Sequence, residues 1–172
     1  YEYVYPDYKF EKVLNNAFAS HGRFTIGSSG FIKKYDTNTT EKNIVNDLTF
    51  KSNPIFTKTG FVNNYNILLK NYNTDATNSA IYDNRNKNKL ASIAEYNSSF
   101  PLKKIEKNYD NILRPLLSFR FSPSQTENIK DDDRRINFDN IFSFDRLSAN
   151  STVEGGSSLT YGTEFSKVDK SE

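Results

Sequence analysis

Apolar and polar positions alternate with period two along most of the chain, and the 3.6-residue period of an amphipathic helix hardly occurs. Between residues 58 and 73, Phe61, Tyr65, Ile67 and Leu69 share one parity, while Asn64, Asn66 and Lys70 share the other with Gly60, Val62 and Leu68. From 114 to 122, Pro115, Leu117, Phe119 and Phe121 oppose Arg114, Leu116, Ser118, Arg120 and Ser122. From 158 to 166, Leu159, Tyr161, Thr163 and Phe165 oppose Ser158, Thr160, Gly162, Glu164 and Ser166. Successive side chains of a strand point to opposite faces, so these stretches predict strands whose two faces meet different surroundings. Weaker alternation predicts further strands within 24–35, 42–52 and 89–100, and an aromatic run opens the chain at Tyr1, Tyr3 and Tyr5. One short helix is expected, over Lys9 to Ala19, ended by Gly22.

The intervening segments read as turns and loops. The run 36–40 is short and polar and suits a hairpin, and Pro54 marks another break. Segments 71–88 and 122–137 are longer and rich in Asn, Asp and Lys. The expected fold is all-β: an antiparallel meander of about eight strands, with short and long connections alternating. No domain boundary stands out, so residues 1–172 read as a single segment.

Composition narrows the class. Only 35% of residues are hydrophobic, yet Phe and Tyr supply 25 of the 172. That mixture argues against a helical bundle, which needs aliphatic stripes, and against disorder, which lacks aromatics. Mean hydropathy is −0.74 and no run of apolar residues is long enough for a membrane helix. Net charge is +2 with both signs scattered, which gives no basic footprint for nucleic acid. Without Cys there is no disulfide or thiolate chemistry, and a single His makes a histidine-rich metal site impossible. The absence of Met, together with an opening inside an alternating run, leads us to expect a stretch of a longer protein.

Two architectures use such strands. A soluble β-sandwich, serving as a secreted or surface binding domain, buries one face on a second sheet. A transmembrane barrel turns the apolar face to lipid and the polar face to an aqueous lumen, with aromatic girdles and modest hydropathy. In the second case Asn64, Asn66, Lys70, Arg114, Arg120 and Glu164 are candidate lumen-facing residues, while Tyr65, Leu69, Phe119 and Phe121 point outward.

No active site emerges, and we expect no enzyme, metal or cofactor. The acidic run 131–133 lacks the ligand spacing and closing Glu of a calcium loop. His21 has no nucleophile motif around it, and an esterase-type barrel is remote for the same reason. Gly155 and Gly156 precede a strand, so they suit a bulge or tight turn and not a phosphate cradle. Three Asn-x-Ser/Thr matches, at Asn38, Asn97 and Asn150, are expected by chance in a chain this rich in Asn.

The last third carries an ordered set of features. Segment 113–123 is a strand with Pro115 near its start. A polar loop follows, and then an aromatic segment, 137–147, closing on Asp145-Arg146. Last comes Leu159-Thr160-Tyr161-Gly162 in a strand. This order resembles the barrel domain of the LptD family, the outer-membrane lipopolysaccharide-assembly proteins also called organic solvent tolerance proteins, in a form similar to its alphaproteobacterial members. The opening run with Pro6 resembles the family's mid-barrel stretch. The resemblance implies a piece of a larger barrel, without the family's amino-terminal periplasmic domain, the cysteines of many relatives or the closing strands. It implies residence in the outer membrane of a Gram-negative bacterium and transport without chemistry. The implied partners are lipopolysaccharide, an LptE-type plug lipoprotein and the periplasmic Lpt bridge. By position, Pro115, Asp145, Arg146 and Gly162 match family-motif residues of structural role, with the Asp-Arg pair ordering a loop against the wall.

Overall fold

The computed structural model describes residues 1–14, 20–126, 135–147 and 152–170. It is one antiparallel meander of nine strands: β1 (Glu2–Leu14), β2 (Gly22–Tyr35), β3 (Thr39–Ser52), β4 (Ile55–Phe56), β5 (Val62–Thr77), β6 (Lys87–Ser99), β7 (Leu102–Ile105), β8 (Tyr109–Ser122) and β9 (Gly156–Asp169). The two short strands are continuations. Past the break at Pro54, β4 extends β3 along β5; past Pro101, β7 extends β6 along β8. The Phe100 N–H donates to the Pro115 carbonyl (3.1 Å) and bridges that second gap. Proline is tolerated where a ladder is interrupted, which accounts for both breaks. Nine strands thus fill seven positions, and among the described residues β1 and β9 are open edges.

The strands expected from alternation are present, several of them longer than the pattern indicated. β5 runs on to Thr77 and β6 starts at Lys87, so the connection between them shrinks to residues 78–86. Asn38 takes φ of 58° in the tight β2–β3 turn, a left-handed conformation that Asn tolerates. The helix expected over 9–19 does not form: Lys9–Leu14 belong to β1, paired with β2 from Lys9↔Ser29 to Leu14↔Phe24. Residues 15–19 lie outside the described residues. A register shift between Val4 and Asp7 flips the parity of β1, which hides its alternation from the sequence.

The two faces differ throughout. One rung reads Leu14, Phe24, Phe50, Ile67, Ala94, Phe121 and Ser157 across all seven positions. This face stays open, with Leu69, Phe119 and Tyr161 exposed at 41%, 47% and 83%. On it Phe24, Phe50 and Tyr65 pack ring to ring in sequence, with centroids 4.6 and 5.6 Å apart. The opposite face holds the core of the molecule. Val45, Leu68, Tyr72, Ala91 and Ile93 are buried there together with Val153, which comes from the connection between β8 and β9. Burial of each such side chain contributes about 1.5–3 kcal/mol, so this connection is fastened to the sheet and not merely suspended beside it.

Apolar residues on the open face do not follow the rungs. The rung through Ile44 reads Tyr8, Gly30, Ile44, Asn73 and Asn88: apolar side chains near β1 and amides further on. Toward the other edge, Leu102, Leu113 and Phe165 form an apolar rung well beyond it. The band therefore drifts by about one to two residues per strand. With a rise of ~3.3 Å and strands ~4.8 Å apart, that corresponds to strands inclined by roughly 35–55° to the band's short axis.

Candidate functional site

The polar face is organised by three neighbouring strands. Asn66 on β5, Glu95 on β6 and Arg120 on β8 stand on one rung. The Asn66 amide donates to Glu95 Oε2 (2.7 Å), as does Asn97 (2.8 Å), which also donates to Asn64 Oδ1 (3.1 Å). Ser118 Oγ donates to Glu95 Oε1 (3.4 Å). A buried carboxylate is tolerable when both oxygens accept hydrogen bonds, and Glu95 meets that condition with neutral donors. Beside it, Lys70 is buried and reaches Asp47 on β3 at 3.3 Å.

Residues 135–147 and 152–155 of the β8–β9 connection cover this network. Arg120, only 2% exposed, donates through Nε to the Phe144 carbonyl (3.2 Å) and through Nη2 to the Glu154 carbonyl (2.7 Å). The Glu154 carboxylate takes a bidentate pair from Arg146, with Nε at 2.7 Å, and lies 3.9 Å from Arg120 Nη1. One carboxylate thus joins two buried guanidinium groups, one on the sheet and one on the covering segment. The forked geometry of Arg suits it to such a junction. Next to the junction, burial pushes the Asp145 carboxyl above the usual carboxylate range, while Lys70, the Leu147 backbone N–H and Arg120 draw it back down. Asp145 Oδ1 has no hydrogen-bond partner among the described residues.

A second contact fastens the segment lower on the sheet. A Cβ at position 162 would sit 2.9 Å from Cζ of Phe142, so Gly162 leaves room for that ring on β9. Beside it, Arg114 Nε donates to Glu164 (3.0 Å), an ion pair about half exposed. Exposed pairs contribute at most about 1 kcal/mol, so this one orients side chains more than it stabilises. At the other side of the sheet, Asp7, Lys9, Glu11, Gly27, Phe31 and Asp47 line an open polar groove of about 430 Å³ across β1–β3.

The structure places Asn64, Asn66, Lys70, Arg114, Arg120 and Glu164 on this one face, in two groups. Asn66, Lys70 and Arg120 belong to the covered network, which Asn64 joins through Asn97, while Arg114 and Glu164 pair with each other beside Phe142. Tyr65, Leu69, Phe119 and Phe121 lie on the open face. Asp145 and Arg146 are adjacent in the covering segment but have different partners: Arg146 binds Glu154, and Asp145 faces Lys70 and Arg120. Pro115 lies on the open face at the β6–β7 gap. His21 meets Ser20 Oγ at 2.9 Å in a turn, and Gly156 has φ of 92° at the entrance to β9. Residues 131–134 and Asn150 lie outside the described residues. Sequence reasoning missed Glu154, Glu95 and Val153, because no local pattern marks a residue whose role is fixed by a distant partner.

Among the described residues, no group of three or more Asp, Glu, His or Cys side chains is placed to hold a metal, and no helix is long and apolar enough to cross a membrane. No protein-family model matches the chain, and no curated protein matches it.

Proposed function

We propose that this sheet is a stretch of the wall of an outer-membrane β-barrel, non-enzymatic, belonging to a lipopolysaccharide-assembly protein of the LptD type. One observation carries the membrane reading: an aromatic-rich apolar band crosses seven strand positions obliquely, opposite a polar face whose buried charges Glu95, Lys70, Arg120 and Arg146 are paired or hydrogen-bonded. Along β8 the band runs from Leu113 to Phe121, nine residues, against the about 9–11 that a tilted strand needs to cross a bilayer. Soluble monomers rarely expose an apolar patch of this extent. A β-sandwich would bury this face under a second sheet, and the described residues contain a single sheet.

Transport of lipopolysaccharide rests on the order of motifs between Leu113 and Phe165, with the polar face as support. The lumen of such a barrel holds charged sugar-phosphate groups and a plug lipoprotein, and the open groove over β1–β3 is a part of the polar face that the described residues of the β8–β9 segment do not line. The periplasmic Lpt bridge would engage the parent protein through its amino-terminal domain.

The chain has no Trp, so an introduced one is a lone reporter. In vesicles containing brominated lipid, the Phe119→Trp variant should be quenched and the Asn64→Trp variant should not. Equal quenching of both would sink the wall assignment. A photo-crosslinking residue at Lys9 in the full parent protein should capture lipopolysaccharide or the plug lipoprotein in cells. Capture of neither would leave a barrel wall of another function.

A further inference from the structure

The apolar face ends differently at its two rims. At the end carrying the long connections of 9 and 33 residues, it gives way to amides (Asn71, Asn73, Asn88) and to the Lys42–Asp75 pair (2.9 Å). At the opposite end, below the rung Leu102–Leu113–Phe165, the next rung on the same face is Lys104, Asn111 and Lys167. The rung after that brings Tyr109 opposite Asp169, and Lys167 Nζ lies 3.8 Å above the centre of the Tyr109 ring. Two lysines therefore flank one Asn, two strand spacings or about 10 Å apart, one step beyond an apolar row. Long cationic side chains and a Tyr in that position are what a membrane boundary selects: apolar stems lie along the band and charged heads reach the headgroups.

Resting on the wall assignment above, we infer that Lys104, Asn111 and Lys167 form a binding site for the phosphodiester group of an anionic phospholipid, in the leaflet at the short-turn end. Two ammonium groups and an amide N–H₂ supply donors around one phosphate, and Phe165, 65% exposed, lies beside its acyl chains. Residues 102–110 and 166–170 carry five lysines against three carboxylates, a net +2. Of those carboxylates, Asp110 is occupied by Lys103 (2.6 Å) and Lys170 (2.8 Å), and Glu106 lies 2.7 Å from Lys104. Asp169 stands opposite Tyr109, one rung past the lysines. The Lys104 side chain is 77% exposed, so its ammonium can exchange the weak surface pair with Glu106 for a phosphate by rotation about its stem.

The test uses the whole chain with Phe119→Trp as reporter, in vesicles of phosphatidylcholine alone or mixed with phosphatidylglycerol. At low salt the mixed vesicles should be preferred by roughly tenfold to thirtyfold, the order expected of two interfacial lysines. The K104Q/K167Q pair should remove most of that preference while leaving brominated-lipid quenching in phosphatidylcholine unchanged. A charge-matched control at the other rim, K34Q/K42Q, should keep it. Equal loss in both pairs, or no loss in the first, would overturn the site. Absence of quenching in every vesicle would overturn the wall assignment instead.

Discussion

The two faces of this sheet are built from the same strands and follow opposite rules. On the covered face, the central polar groups are tolerated because they are matched: Glu95 accepts from two amides and a hydroxyl, and Arg120 and Arg146 converge on Glu154, although Asp145 Oδ1 and Ser122 Oγ have no hydrogen-bond partner among the described residues. On the open face, apolar groups predominate and little covers them, from Ile26 and Leu48 to Phe121 and Leu159. In water the first arrangement is sound and the second is costly; in a bilayer both are sound. Alternation within a strand therefore says where faces differ, and the partners of each face say which solvent it was built for.

Substitutions on the open face should break that contrast most strongly. Leu69→Arg should destabilise the chain folded in lipid vesicles by about 2–4 kcal/mol, the cost of a cation on a lipid-facing strand near mid-bilayer. On a water-facing sheet the same change would stay within about 0.5 kcal/mol. Urea titration in vesicles separates the two. On the covered face, Glu154→Ala strands the buried Arg146 guanidinium, while Arg120 keeps its two backbone carbonyls and loses only a carboxylate 3.9 Å away. Removing one partner of a buried pair costs about 3–5 kcal/mol, but the Glu154 side chain is 22% exposed. We therefore expect about 2–3 kcal/mol, seen as faster hydrogen exchange across residues 135–147 with the strands unchanged. Val153→Ala should loosen the same segment by about 1–2 kcal/mol, through lost burial plus the cavity left among Leu68, Tyr72 and Ile93.

A smaller effect sharpens the comparison through pH. Burial raises the Asp145 carboxyl above its ordinary value, so the docked segment binds that proton more tightly than the free one. Docking is therefore stronger at low pH and weakens as pH rises through the raised value, the reverse of an ordinary salt-bridged carboxylate. Fluorescence of a Phe144→Trp reporter, whose parent side chain packs on the core, should follow this change, and Asp145→Asn should flatten it. A Trp signal that weakens on acidification would contradict the assignment.

Much of this was legible in the sequence, and the gaps have physical reasons. Six strands show in the alternation because each has one apolar and one polar face along most of its length. β1 was obscured by the shift between Val4 and Asp7: Tyr3 and Phe10 lie on the same face although their spacing puts them on opposite parities. Residues beyond the shift then mimic helical spacing. The six polar candidates were readable from parity alone. The Glu154 junction and the insertion of Val153 were not, because a connection of 33 residues can lie over either face or neither, and only its tertiary partners decide. The obliquity of the apolar band was likewise invisible, since it depends on inter-strand register.

That obliquity is the most direct handle on the central claim. Ile44 and Asn73 are direct partners on one rung of the open face, whereas Phe165 lies many rungs away near the other rim. Single-Trp variants at the three positions, reconstituted with lipid brominated along its acyl chains, measure which of them reach the hydrocarbon. A tilted wall predicts strong quenching of Ile44→Trp and Phe165→Trp and weak quenching of Asn73→Trp. Equal quenching of Ile44→Trp and Asn73→Trp, or none at any of the three, would contradict it.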